Sequence, residues 1–150
     1  MNIIFLDIDG VMNSERYYRR VNMKAPDWAR FDPESVRLLK LLLDEFDARL
    51  VITSSWRFGA AEMLNRELNR YSLKKYLHKN WKTDLIGANE RDKEINSWLK
   101  KSIDVKNFLI LDDVDSYSGI LRNHFVKTDI KTGFGVNEFE LCREFFLKGG

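Results

Sequence analysis

Three stretches of this chain are short continuous apolar runs, and each stops on side chains that carry oxygen. Ile3 to Leu6 runs into Asp7, then Asp9 and Gly10; Leu50 to Ile52 runs into Thr53, Ser54 and Ser55; Phe108 to Leu111 runs into Asp112 and Asp113. Runs of this kind suit strands covered on both faces, the condition of strands inside a parallel sheet. Two ionised carboxylates ~4 Å apart repel by roughly 4 kcal/mol at an effective dielectric of ~20. A site that served structure alone would avoid such a cost, so something must hold those charges at the strand tip.

Between the runs lie helical patterns. FDPESV opens a helix with Asp32 as N-cap and Pro33 at the first helical position, and Val36, Leu39, Leu43 and Phe46 continue it to about Asp47. A second helix is predicted over about 58–71, carrying Met63, Leu64 and Leu68, a third over RDKEINSWLKK (91–101), and a closing one over about 137–147. The strands are NIIFL (2–6), RLVIT (49–53), a short DLIG (84–87), NFLILDD (107–113) and HFVKT (124–128), while 10–31 reads as irregular, aromatic and basic. Strands alternating with helices give right-handed βαβ units and a parallel sheet. The expected architecture is α/β and Rossmann-like, about five parallel strands sandwiched by helices, in one domain spanning 1–150. In such sheets ligands bind beyond the carboxyl ends of the strands, and the oxygen-bearing residues sit at those ends.

Composition narrows the function classes. No apolar run approaches the ~20 residues of a membrane span. The first run is too short for a signal-peptide core and Asp7 interrupts it. A single cysteine, Cys142, forms no internal disulfide, so a reducing cytoplasm is the expected location. Net charge is +2 and the pI about 8.6, which permits a polyanionic partner without demanding one.

Four carboxylates converging on one edge need positive charge between them. Hard oxygen donors suit Mg²⁺, which is commonly held by one or two carboxylates with substrate phosphate. An aspartate beside such a cation can attack phosphorus. A second carboxylate two residues along stands beside the leaving oxygen, where it serves as acid and then as base. A hydroxyl from another strand end and a cation from a neighbouring helix would bind the phosphoryl oxygens.

DIDGV, TSSWR, a basic residue opening a helix, and LDD resemble, in order, the four motifs of the haloacid dehalogenase (HAD) superfamily of phosphatases. The resemblance implies an Mg²⁺-dependent phosphohydrolase working through an aspartyl-phosphate. On that match Asp7 is the nucleophile. Asp9 is the acid and base, and its carbonyl also ligates the metal. Ser54 is the phosphate-binding hydroxyl, with Thr53 and Ser55 as rivals. Arg91 is the third-motif cation, with Lys93 as the alternative, and Asp112 and Asp113 are the acidic metal-binding pair. A narrower resemblance, carried by FDPESVRLLKLL, VITSSWR, R-x-x-E-I-x-x-WL, FLILDD and TGFG, is to the small HAD domains of Swiss Army Knife RNA-repair proteins, themselves similar to polynucleotide 3′-phosphatases.

Plainer roles stand beside these. Ser54 and Ser55 can be helix caps, and Arg57 is either a surface residue of a helix start or a guanidinium placed to fork a phosphate. A cation opening a helix, as at Arg91 or Lys93, opposes the macrodipole, which favours a functional role. Asp115 reads as a turn residue, Trp56, Trp81 and Trp98 as core, and His78, His124 and Cys142 as structural. YYRR (17–20) and KKYLHKNWK (74–82) interleave rings with cations as single-strand binders do, or form solvated faces.

HAD enzymes that enclose small metabolites carry a separate cap, and neither interval here is long enough to fold one. The expected substrate is therefore a terminal phosphate of single-stranded RNA or DNA, 3′ above all. A small phosphorylated metabolite or nucleotide is the alternative. A receiver domain is excluded, because it places its adjacent acids first and its phosphorylated aspartate after the third strand. A non-catalytic phosphate-binding module is disfavoured by the presence of both nucleophile and acid.

Overall fold

The computed structural model describes residues 1–22 and 29–150. Five strands form one all-parallel sheet: β1 (Asn2–Leu6), β2 (Ala48–Ile52), β3 (Leu77–Lys82), β4 (Asn107–Asp112) and β5 (Phe125–Lys127), in the order β3-β2-β1-β4-β5. The chain builds outward from β1 through β2 to β3, then crosses to β4 and β5. The order reverses between β1 and β4, and that switch point opens a crevice at the carboxyl ends of those two strands.

Helices cover both faces. On one lie α2 (Pro33–Glu45), α4 (Ala61–Arg70) and α6 (Val136–Leu147), whose Leu39, Leu42, Leu64, Leu68 and Phe146 pack on Ile4, Leu6, Leu50 and Leu109. On the other lies α5 (Arg91–Lys101), which sets Ile95 and Trp98 on Ile3, Phe5, Val51 and Ile110. The Phe5 and Trp98 rings meet edge to face at 5.3 Å. Alternate residues of β1 thus feed opposite faces, and Ile3 through Leu6 are all fully buried. The α2 start is as expected, with the Asp32 carboxylate accepting from Glu34 N at 3.0 Å.

Three elements depart from the sequence expectation. The third strand is Leu77–Lys82, within the basic 74–82 stretch, and not 84–87. It is an edge strand, half-buried at most, so it carries no apolar run to announce it; its lysines guard an open edge. Leu85 and Ile86, 67% and 48% exposed, pack into no sheet. A short helix α1 (Glu15–Arg20) lies inside the stretch read as irregular. It is capped by Ser14 Oγ accepting from Tyr17 N at 3.1 Å, with arginines in its last turn favoured by the macrodipole. Residues 23–28 of that stretch lie outside the described residues. The helix expected over 58–71 is two pieces, α3 (Trp56–Gly59) and α4, broken where Ala60 leaves helical geometry at φ −135°, ψ 38°. Among the described residues no helix is long and apolar enough to cross a membrane.

Candidate active site

The ladder continues past the strand ends. Asp7 N donates to Leu111 O at 3.0 Å, Thr53 N to Leu6 O at 3.0 Å, and Thr128 N to Asp112 O at 2.9 Å. The register therefore sets Asp7, Thr53 and Asp112 side by side, one residue beyond the paired Leu6, Ile52 and Leu111. Asp7 and Asp112 are buried and Asp113 is half-buried; one carboxylate oxygen from each lies within 4.8 Å of the others.

The Arg91 guanidinium, at the first turn of α5, bridges this cluster. Its Nη1 lies 3.1 Å from Asp7 Oδ2 and donates to Asp112 Oδ2 at 2.6 Å. Asp112 is held further by Tyr117, whose hydroxyl donates to Oδ2 at 2.7 Å, and by Val114 N on Oδ1 at 2.9 Å. One guanidinium among three carboxylates leaves a deficit of positive charge. Burial, and after it the Asp112 charge, pushes the Asp7 carboxyl up to about 7 against the lowering effect of Arg91. Asp113 is raised for the same two reasons. Three convergent carboxylate oxygens, hard donors short of a counter-charge, fit a divalent cation.

Asp9 stands apart from the cluster. Its Oδ1 accepts from Asn13 Nδ2 at 3.0 Å and its Oδ2 from Trp56 Nε1 at 3.0 Å, so two N–H groups fix its orientation on the exposed side of the loop. Its carboxylate is no part of the three-acid group. The turn that opens at Asp9 works because residue 10 is glycine. Gly10 has φ +76°, and a Cβ there would lie 2.6 Å from Asp113 Oδ2. The Thr128 hydroxyl holds the Gly10 carbonyl at 2.7 Å and Asn13 Oδ1 accepts from Gly10 N at 3.0 Å, which ties the β5 end to the loop after β1.

Several expected residues fall elsewhere. The Arg57 guanidinium does not face the carboxylate cluster. It donates to the carbonyls of Thr53, Ser54 (2.8 Å) and Thr83 (2.9 Å) and to Glu94 Oε2 (2.8 Å), which engages its donors inside the protein. The phosphate fork expected of it is replaced by a buried cross-link. Lys93 turns outward and pairs with Glu90 at 3.0 Å, 62% exposed, so of the two helix-opening cations only Arg91 reaches Asp7. Among the three hydroxyls, Ser54 Oγ accepts from Trp56 N at 3.2 Å, and Ser55 is exposed. Thr53 Oγ1 is buried without a partner among the described residues, in register with Asp7. Asp115 pairs with Arg122.

Sequence reasoning misses Tyr117, the buried Glu94 and the indole N–H of Trp56. Each reaches the site from a different element, at separations no local pattern encodes. Asn13 had a signal, an amide shortly after a strand-end aspartate pair.

A cleft of about 540 Å³ opens beside the cluster, with Arg91 at one side and Ser55, Phe58, Leu85 and Val114 among its walls.

Carboxylates from the two strands that flank a switch point, bridged by a guanidinium from the next helix, define an α/β domain of the HAD class. Over residues 3–139 the chain matches the family model described as "HAD domain in Swiss Army Knife RNA repair proteins", and it belongs to that family. A search of curated proteins and a search of solved structures each find no significant match.

Proposed function

We propose that this domain is a phosphomonoesterase in which Asp7 is the nucleophile. The observation that carries the reading is Asp7 itself: a buried carboxylate at the tip of β1, 3.1 Å from Arg91 and grouped with Asp112 and Asp113. An Asp7 oxygen forms a bond to phosphorus as the ester oxygen departs with a proton from Asp9. Water then attacks the aspartyl-phosphate, Asp9 takes the water's proton, and phosphate leaves with the Asp7 carboxylate restored. Asn13 and Trp56 keep Asp9 aimed at the departing oxygen. Arg91 and the unpartnered Thr53 hydroxyl stand where phosphoryl oxygens need donors. Asp7, Asp112 and Asp113, with the Asp9 carbonyl, would hold Mg²⁺, which when bound neutralises the acids and draws charge from the phosphoryl group.

The favoured substrate is a terminal phosphate of nucleic acid, a 3′-phosphate first. The family description supports it, as do the exposed Arg16 and Arg19 of α1, which with Lys131 line a concavity following the nucleophile loop. Arg20, also expected to bind substrate, is 3.4 Å from Asp32. Phosphate release from a 3′-phosphorylated oligonucleotide, its 5′-phosphorylated counterpart, the matching mononucleotide and a sugar phosphate tests the reading. The oligonucleotide is expected to lead, with affinity falling with salt at a logarithmic slope of roughly −0.7 per phosphate contacted. Equal efficiency on oligonucleotide and mononucleotide, with equal salt dependence, would transfer the assignment to small metabolites.

A further inference from the structure

The cleft beside Arg91 has a wall that the chemistry at Asp7 does not use. Phe58, in the last turn of α3, is 46% exposed, and Leu85 and Val114 leave 67% and 55% of their surfaces open. All three line the same cleft, whose volume of about 540 Å³ is that of a small-ligand site. Large apolar side chains left open around a concavity mark a binding surface. Val114 directly follows the acidic pair and Arg91 touches Asp7, so the wall is continuous with the reacting end. The cations nearby are arranged about the ring. The Arg57 guanidinium lies 4.6 Å from the Phe58 centroid and Lys82 Nζ 5.2 Å from it. Four of the five Arg57 N–H groups are engaged internally, whereas the exposed Lys82 ammonium lies over the Phe58 and Trp81 rings and makes no hydrogen bond or ion pair among the described residues. An aromatic face flanked by an uncommitted cation at the end of an apolar cleft has the chemistry of a stacking platform with a backbone-phosphate contact.

We propose that the cleft takes the terminal nucleoside of the phosphorylated strand, its base stacked on Phe58 between Leu85 and Val114, with Lys82 on the adjoining phosphodiester. The assignment rests on the phosphatase reading above and names how that site would recognise its substrate. Of the basic 74–82 stretch, it singles out Lys82 as the residue that meets the strand.

The test compares a 3′-phosphorylated oligonucleotide with the same oligonucleotide made abasic at its terminal position. The readout is the ratio of kcat/KM on the two. The natural protein is expected to prefer the base-bearing end by roughly five- to a hundredfold, the range of one aromatic stacking contact. Phe58→Ala is expected to bring the ratio close to one, and Phe58→Trp to restore it. Since Phe58 is half exposed, both variants should fold, which their melting temperatures check. Lys82→Ala should reduce the salt slope by roughly 0.7. A ratio near one in the natural protein, or a preference that Phe58→Ala leaves intact, overturns the platform while phosphatase activity stands. Failure to release phosphate from either oligonucleotide, with turnover of a sugar phosphate retained, overturns the nucleic-acid reading and the platform with it. No turnover of any ester overturns the phosphatase reading itself.

Discussion

Arg57 Nη2 donates to Glu94 Oε2 at 2.8 Å, and both side chains are 3% exposed. The pair joins two segments of the site. Arg57 holds the carbonyls at the tip of β2, and Glu94 lies one turn after Arg91 on α5 while its other oxygen accepts from Ile86 N at 3.1 Å. Removing one partner strands a buried charge, which costs about 3–5 kcal/mol. Arg57→Ala should therefore lower the denaturant midpoint sharply. The double variant Arg57→Met, Glu94→Leu should be less destabilised than either single truncation, because neither charge is then left unpaired. A loss in the double variant equal to the sum of the two single losses would show that the pair is not coupled.

Replacing Asp7 by Asn keeps the shape and removes the proposed nucleophile, so turnover should vanish while the fold persists. Asp9→Asn should lower kcat by at least roughly a hundredfold, the contribution of general acid-base catalysis. Because water then lacks its base, a phosphorylated protein should accumulate. Mass spectrometry of acid-quenched Asp9→Asn with substrate detects it, and Asp7→Asn is the control that should show none.

Arg91→Ala and Lys93→Ala separate two cations two residues apart. Arg91 bridges Asp7 and Asp112, so its loss should cost roughly 10²–10³ in kcat, as expected for a donor to transition-state charge. Lys93 pairs with Glu90 at the surface, and its loss should change kcat by less than twofold. Steady-state kinetics on one phosphate ester is sufficient to rank them.

Adding Mg²⁺ should stabilise the protein through the three carboxylates. At a hundred times Kd the gain is about 2.7 kcal/mol, or roughly 5–10 °C in Tm for a chain of this size. Asp112→Asn with Asp113→Asn should abolish the shift and raise the melting temperature of the metal-free protein above that of the parent. A Tm indifferent to Mg²⁺ would remove the cation site.

The Asp7 carboxyl is raised from its usual 3.8 to about 7, first by burial and then by Asp112. Between those values the folded state holds a proton that the unfolded state has released, so protonation favours folding there. In chelator, stability is expected to fall as pH climbs from about 4 through 7 and then to level off, with Asp113 adding to the same sign. Asp7→Asn should flatten the curve over that interval. Thermal melts of both proteins from pH 4.5 to 8 measure the difference.

Unbroken apolar runs sufficed to locate β1, β2 and β4, and the Asp-Pro-Glu start sufficed for α2, because these signals are local: burial on both faces requires continuous hydrophobicity, and caps act within one turn. The same locality put Asp7, Asp9, Asp112 and Asp113 at strand ends. Edge strand β3 escaped because an edge needs no apolar pattern, and the Leu85–Ile86 pair misled because both side chains stay exposed outside the sheet, Leu85 lining the cleft. Tertiary structure alone decided the partners. Whether Arg57 turned to solvent or to Glu94, whether Arg91 or Lys93 reached Asp7, and which of Thr53, Ser54 and Ser55 kept an unpartnered hydroxyl all depended on register and helix orientation. Residue type sets what a side chain can bond, but only the packing of distant elements sets which group arrives within 3 Å of it.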